Sequence, residues 1–256
     1  MKKIFFIACA VLVTTGALAQ NVQLHYDFGR HIYDQEGEKG EDRQVTTITY
    51  ETFKADNWGS WFYFVDFDMY AKGMKGAYTE ISRELNFWKE SNLGWLSAHV
   101  EYNGGLYVGR GNSYGSQFQH AMLVGPAYNG HNADFSKTWG VQLMYKYYFA
   151  GMGANTGGYH GWQLTGIWST TFCQQALTFA GFADLWYDRR VDGNMIFLAE
   201  PQLWFNLKPF CDVPLSIGTE VELSNNFVAS QDLQVWGPYK HKTFYINPTL
   251  ALKWEF

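Results

Sequence analysis

The final stretch of the chain constrains its fold most. From Phe244 to Phe256 one register reads Phe244, Ile246, Pro248, Leu250, Leu252, Trp254 and Phe256, while the other reads Tyr245, Asn247, Thr249, Ala251, Lys253 and Glu255. Side chains alternate across a strand, so this segment is oily on one face and polar on the other. The same split recurs at Trp61, Tyr63, Val65, Phe67 and Met69 against Phe62, Phe64, Asp66, Asp68 and Tyr70. It returns at Leu215, Ile217, Val221 and Leu223 against Ser216, Gly218, Glu220 and Glu222. Strands of this kind suit a closed wall with lipid on one side and its own lumen on the other.

Composition points the same way. Aromatic residues make up 19% of the chain and charged residues only 17%. A soluble fold would have to bury those rings, whereas a membrane barrel can set them outside, in belts at its two water interfaces. No stretch after residue 20 is long and apolar enough for a membrane helix. The net charge of -5 speaks against nucleic acid as a partner, since such proteins carry a basic face.

At the N-terminus, Lys2 and Lys3 precede an apolar run from Ile4 to Val13, and Ala17-Leu18-Ala19 supplies small residues at the cleavage positions. This predicts a signal peptide over 1–19 and a mature, exported chain of 20–256. Twelve strands are expected in it, near 22–33, 44–55, 58–71, 77–88, 95–108, 116–127, 137–149, 159–171, 176–188, 194–207, 214–227 and 242–255. The expected fold is therefore all-β: a transmembrane antiparallel up-and-down barrel of about 12 strands. Asp56-Asn57 and the stretch around Cys173 read as tight turns at one end. Asp34 to Arg43 and Asn225 to Lys242 read as longer loops at the other, the asymmetry of periplasmic turns and external loops. Tyr128 to Ser136 is long for a connection on the tight-turn side.

Placing the oily registers toward lipid collects Asp27, Glu51, Asp66, Asp68, Glu80, Glu84, Glu101, Asp184, Glu200, Glu220 and Glu222 inside, with His25, His99, Lys146 and Lys253 as countercharges. Arg83 falls in the oily register, and a β-bulge would re-aim it. Phe62, Phe64, Tyr70 and Trp204 share the inward register. Flat rings beside hydrogen-bonding groups suit a flat base joined to a sugar, and Gln202 and Asn247 could bond sugar hydroxyls.

The ending Trp254-Glu255-Phe256 resembles the signal read by the machinery that inserts outer-membrane barrels. Trp61–Met69 (WFYFVDFDM), Tyr78–Phe87 (YTEISRELNF) and Phe197–Phe205 (FLAEPQLWF) resemble the nucleoside-specific channel-forming (Tsx-like) outer-membrane proteins and their Bacteroides-type, DUF5020-like relatives. That resemblance implies a narrow, monomeric 12-stranded pore among outer-membrane lipids, with rings and polar groups along the solute path. Residues both in these stretches and in the polar register are the expected pore lining: Phe64, Asp66, Asp68, Glu80, Glu84, Glu200, Gln202 and Trp204. The expected function is passive diffusion of small polar solutes, nucleosides among them, with no catalysis and no cofactor or metal.

Two rival readings stay open. The barrel could have no open pore, its interior charges serving only to hold the wall together. It could also be a hydrolase, for Ser97, His99 and Glu101 occupy alternate positions of one strand and so share a face. Same-face neighbours lie about 6.6 Å apart along a strand, so a Ser97 to His99 hydrogen bond needs both side chains to lean. Gly111-Asn112-Ser113-Tyr114-Gly115 matches a nucleophile-elbow pattern, but with no helix after it reads as a turn. The histidines have no zinc spacing, and the acidic stretch Glu36 to Asp42 lacks the calcium-loop pattern. Cys173 and Cys211 fall in turns whose hairpins are two strands apart, and a disulfide between them would require those turns to bend together.

Overall fold

A computed structural model of the chain describes residues 18–29, 44–70, 73–108, 115–117, 120–150, 157–189, 194–227 and 244–256. The strand segments are β1 (Leu18–Asp27), β2 (Thr46–Asp56), β3 (Gly59–Tyr70), β4 (Gly73–Leu85), β5 (Leu96–Val108), β6 (Gly115–Gln117), β7 (Ala121–His131), β8 (Lys137–Tyr148), β9 (Tyr159–Phe172), β10 (Leu177–Tyr187), β11 (Met195–Ala199), β12 (Gln202–Asn206), β13 (Leu215–Asn225) and β14 (Phe244–Glu255). A single helical turn, α1 (Lys208–Cys211), lies between β12 and β13.

All pairings are antiparallel and the sheet closes. β1 pairs with β14 from Asn21↔Glu255 to Asp27↔Thr249, and the Phe256 N–H donates to Gln20 O at 3.1 Å. Segments β11 and β12 both lie between β10 and β13, and β6 pairs only with the end of β5, so fourteen segments form a closed 12-strand barrel. Closure leaves no edge strand, as a wall inside hydrocarbon must ensure.

The alternation read from sequence is the alternation of this wall. Along β8, exposed Trp139, Val141, Leu143 and Tyr145 intercalate with buried Thr138, Gln142, Met144 and Lys146. Along β14, exposed Ile246, Leu250, Leu252 and Trp254 alternate with buried Tyr245, Asn247, Ala251 and Lys253. Exposed apolar side chains belong on a surface that meets lipid rather than water. At the end where Leu18 and Phe256 lie, Trp61, Trp95, Tyr128, Trp139, Trp254 and Phe256 are exposed, as an interfacial aromatic belt requires.

That end carries the connections 57–58, 86–95, 132–136, 173–176 and 207–214. In 132–136 the Asp134 carboxylate accepts from Ser136 N at 3.2 Å and Ser136 Oγ at 2.9 Å, and these bonds hold its pKa below the ordinary value. The expected loops 34–43 and 225–242 lie almost wholly outside the described residues, as do the expected signal peptide up to residue 17 and Gly111 to Tyr114. The expected processing point before Gln20 follows the second residue of β1.

Three expectations change. The strand placed at 116–127 is β7, Ala121–His131, because one edge of β5 has two partners: Leu106 to Val108 pair with β6, and Leu96 to Asn103 pair with β7. The connection expected over 128–136 is thereby shortened to 132–136. The strand placed at 194–207 is interrupted at Glu200-Pro201, since proline lacks the N–H for the ladder. Both halves nevertheless keep one register against β10, with Ala183↔Ala199 and Ala180↔Gln202, so the interruption is a kink without a slip. Finally, Arg83 is not re-aimed by a bulge; the irregularity between β3 and β4 lies at Asp68/Met69. Arg83 stays on the outer face near the tight-turn end, where its Nη2 donates to Asp56 Oδ1 at 2.8 Å and its guanidinium covers the Trp61 ring at 4.9 Å. An interfacial rim lets a long cationic side chain reach polar partners.

Candidate functional site

The site is the barrel interior. Every carboxylate assigned inward by the alternation lies in the inward register, because directly paired residues share a face. Thus Glu51 pairs with Asn21 and Phe64, Asp66 with Thr49 and Tyr78, Asp184 with Thr165 and Leu198, and Glu222 with Asn247. The interior is uneven, however: three regions are packed shut and one is not.

The first packed region is built on Glu84. Ser97 Oγ donates to Glu84 Oε2, Gln142 Nε2 donates to Glu84 Oε1 at 3.2 Å, and His99 Nδ1 lies 2.8 Å from Glu84 Oε1. The other imidazole nitrogen, Nε2, lies 3.0 Å from Glu101 Oε2, and Asn129 Nδ2 donates to Ser97 Oγ at 3.0 Å. Glu84 is therefore a buried cross-brace between β4, β5 and β8, not an open lining group. The Ser97 to His99 contact that the rival hydrolase reading needs is not formed: the hydroxyl faces a carboxylate, and carboxylates take both imidazole nitrogens.

The second region surrounds Trp204, which is 0% exposed. Its Nε1 donates to Gln202 Oε1 at 2.9 Å, Lys253 Nζ lies 4.5 Å from its ring, and His25 meets it edge-on at 5.9 Å. Gln202 in turn donates to Glu220 Oε2 at 2.6 Å. The expected stacking role of Trp204 fails for lack of a free face: alternation gives the side a residue points to, not what then packs over it.

The third region is apolar and sits toward the opposite end from Leu18 and Phe256. Leu123, Met144, Tyr148, Tyr159, Trp186, Ile196 and Leu198 form one cluster, with Tyr148 and Tyr159 stacked at 4.3 Å. Lys146 Nζ lies 5.1 Å from the Trp186 ring and donates to Gln163 Oε1 at 2.7 Å. Nothing in the period-two pattern separates such a cluster from a lipid-facing one, and sequence reasoning missed it.

Between these regions lies a half-buried acidic stretch along β2–β4 and β10–β13. It holds Glu51, Asp66, Asp68, Glu80, Asp184, Glu200, Glu220 and Glu222. Thr49 Oγ1 donates to Asp66 Oδ1 at 2.5 Å, Thr47 Oγ1 to Asp68 Oδ1 at 3.3 Å, Tyr78 Oη to Glu80 Oε1 at 2.6 Å, and Thr165 Oγ1 to Asp184 Oδ1 at 2.5 Å. The bore is narrow enough for charge to act across it. Asp66 on β3 feels Glu220 on β13, with three strands between them around the wall, and Glu200 feels Glu220, Glu222, Asp66 and Asp184. The kink at Pro201 positions Glu200 here, and the inward rings of Phe62, Phe64 and Tyr78 follow one another at centroid spacings of 6.1 Å.

Of the expected lining, Phe64, Asp66, Asp68, Glu80 and Glu200 thus share this stretch, Gln202 borders it through Glu220, and Glu84 and Trp204 are packed away. Cys173 and Cys211 are free, exposed thiols, so the considered disulfide is not formed. Among the described residues no group of three His, Cys, Asp or Glu side chains is arranged to hold a metal ion.

The family model described as a domain of unknown function, DUF5020, matches residues 19–256. No curated protein matches the chain. Among solved structures, "LpxR from Salmonella typhimurium" is similar at 9% identity with a TM-score of 0.44, covering 93% of this chain and 100% of that one.

Proposed function

This chain belongs to the DUF5020 family, and we propose that it is an outer-membrane channel for passive diffusion of small polar solutes, with an acidic lumen that favours cations over anions. One observation carries the reading: the half-buried carboxylates Asp66, Asp68 and Glu80 on β3–β4 and Glu200, Glu220 and Glu222 along β11–β13 face the interior from two stretches of the wall. A bore walled by one sign of charge in a low-dielectric surround concentrates ions of the other sign. The lipid-facing belt and the terminal Phe256 support outer-membrane insertion through the barrel-assembly machinery, after removal of an N-terminal signal peptide. The protein acts as a monomer, since a closed barrel needs no partner strand.

Nucleosides are the finer substrate reading, supported by the rings of Phe62, Phe64 and Tyr78 beside hydrogen-bonding acids. A second reading, a barrel without an open path, is favoured by the packed regions around His99, Trp204 and Leu123. Liposome swelling with refolded protein decides between them. A channel admits small neutral sugars, amino acids and nucleosides at rates above protein-free vesicles, nucleosides fastest on the finer reading. Rates equal to those of empty vesicles would overturn it.

A further inference from the structure

On the inner wall, rings and acids form a checkerboard. Phe64 on β3 is paired directly with Glu80 on β4, and the next inward pair sets Asp66 on β3 against Tyr78 on β4. Directly paired side chains sit about 5 Å apart, so each carboxylate has an aromatic neighbour on the adjoining strand and another along its own. The Phe64 and Tyr78 rings lie 6.1 Å apart, and Tyr78 turns its hydroxyl onto Glu80.

Charge around this patch is unbalanced. Glu80 feels Glu101 and Asp184 as like charges and Lys146 as the opposing one. That ammonium is already engaged with Gln163 and the rings of Tyr148 and Trp186. Glu101 supplies an independent sign: it is 8% exposed, one oxygen faces His99, and the other, Oε1, is shielded from water with no hydrogen-bond partner among the described residues. Glu84 is different, for Ser97, His99 and Gln142 converge on it. A buried acceptor without a donor is costly, and a bound donor would relieve it. A bare metal ion does not fit, since these carboxylates are not gathered to metal-binding spacing. Two rings beside two carboxylates instead suit a flat group bearing positive charge, through stacking, cation–π attraction and charge-assisted hydrogen bonds together.

We propose that Phe64, Asp66, Tyr78 and Glu80, backed by Glu101 and Asp184, form a binding site for small organic cations whose charge is carried on a flat unsaturated ring or conjugated to it. This rests on the channel reading, because solutes must reach the site through the lumen. The test uses the full chain refolded in detergent, with three probes: benzamidinium, its neutral counterpart benzamide, and ringless methylammonium. Titration calorimetry should show benzamidinium binding at least about tenfold more tightly than either, the worth of one stacked ring or one charge-assisted contact. Glu80→Gln should bring benzamidinium down to benzamide, and Phe64→Leu, which keeps bulk without a ring, should bring it down to methylammonium. Equal affinity for the three probes, no binding, or no change in these variants with assembly intact would overturn the site. The same probes are then applied to the bilayer current. A potassium current that the three probes block equally, or not at all, removes the site and leaves the channel. Selective binding without any current removes the channel and leaves the site.

Discussion

At the scale of single residues, two inward carboxylates that look alike in sequence have different work. Glu84 holds Ser97, His99 and Gln142 together in a buried brace, whereas Asp66 takes one hydroxyl from Thr49 and faces the lumen. Removing one member of a buried charged network leaves the rest uncompensated, at about 3 to 5 kcal/mol. Glu84→Leu should therefore lower stability by that order, read as urea unfolding in lipid vesicles by tryptophan fluorescence. Asp66→Leu should instead assemble normally and weaken cation preference in bilayer recordings; the opposite pattern would exchange their roles. The inward placement of Asp66, Asp68, Glu80 and Glu200 was legible because alternation fixes which face a side chain takes. The enclosure of Glu84 and Trp204 was not, because it depends on strands distant in sequence: Gln142 on β8 for the one, His25 and Lys253 at the two ends of the chain for the other.

Elements were legible where hydrophobic alternation runs unbroken, as along β8 and β14, and less so where one strand has two partners or a proline. Two segments share the length of β5, and no local pattern says that Gly115–Gln117 and Ala121–His131 belong to different pairings. At Pro201 the missing donor faces β13, where Val221 N still donates to Pro201 O at 3.0 Å, and on the other side Gly181 of β10 stands opposite. Gly181 has φ +150°, a conformation that L side chains rarely adopt, and a Cβ there would lie 2.4 Å from Glu200 O. Gly181→Ala should destabilise the barrel by about 1 to 3 kcal/mol through backbone strain, lowering the temperature at which its compact, heat-modifiable band disappears on gels. A band as heat-resistant as that of the unaltered protein would show that the kink adapts freely. Because Glu200 sits on the kink, the same variant should also reduce cation preference.

For the whole molecule, closure and polarity follow from one rule applied strand by strand, which is why the barrel could be read from sequence. The uneven filling could not be read that way. An apolar cluster around Leu123 and Tyr148 fills part of the interior, while the carboxylates along β2–β4 and β10–β13 remain half-buried. The function proposed for that stretch is electrostatic before it is chemical: an excess of carboxylates over Lys146, Lys253 and two histidines makes the bore a cation path. The most direct measurement is the reversal potential of single barrels in a planar bilayer under a potassium chloride gradient at neutral pH. The account predicts a potential of the sign set by potassium, shrinking toward zero in a combined Asp66→Asn, Glu80→Gln and Glu200→Gln variant. A chloride-signed potential, or properly inserted barrels that carry no current, would contradict it.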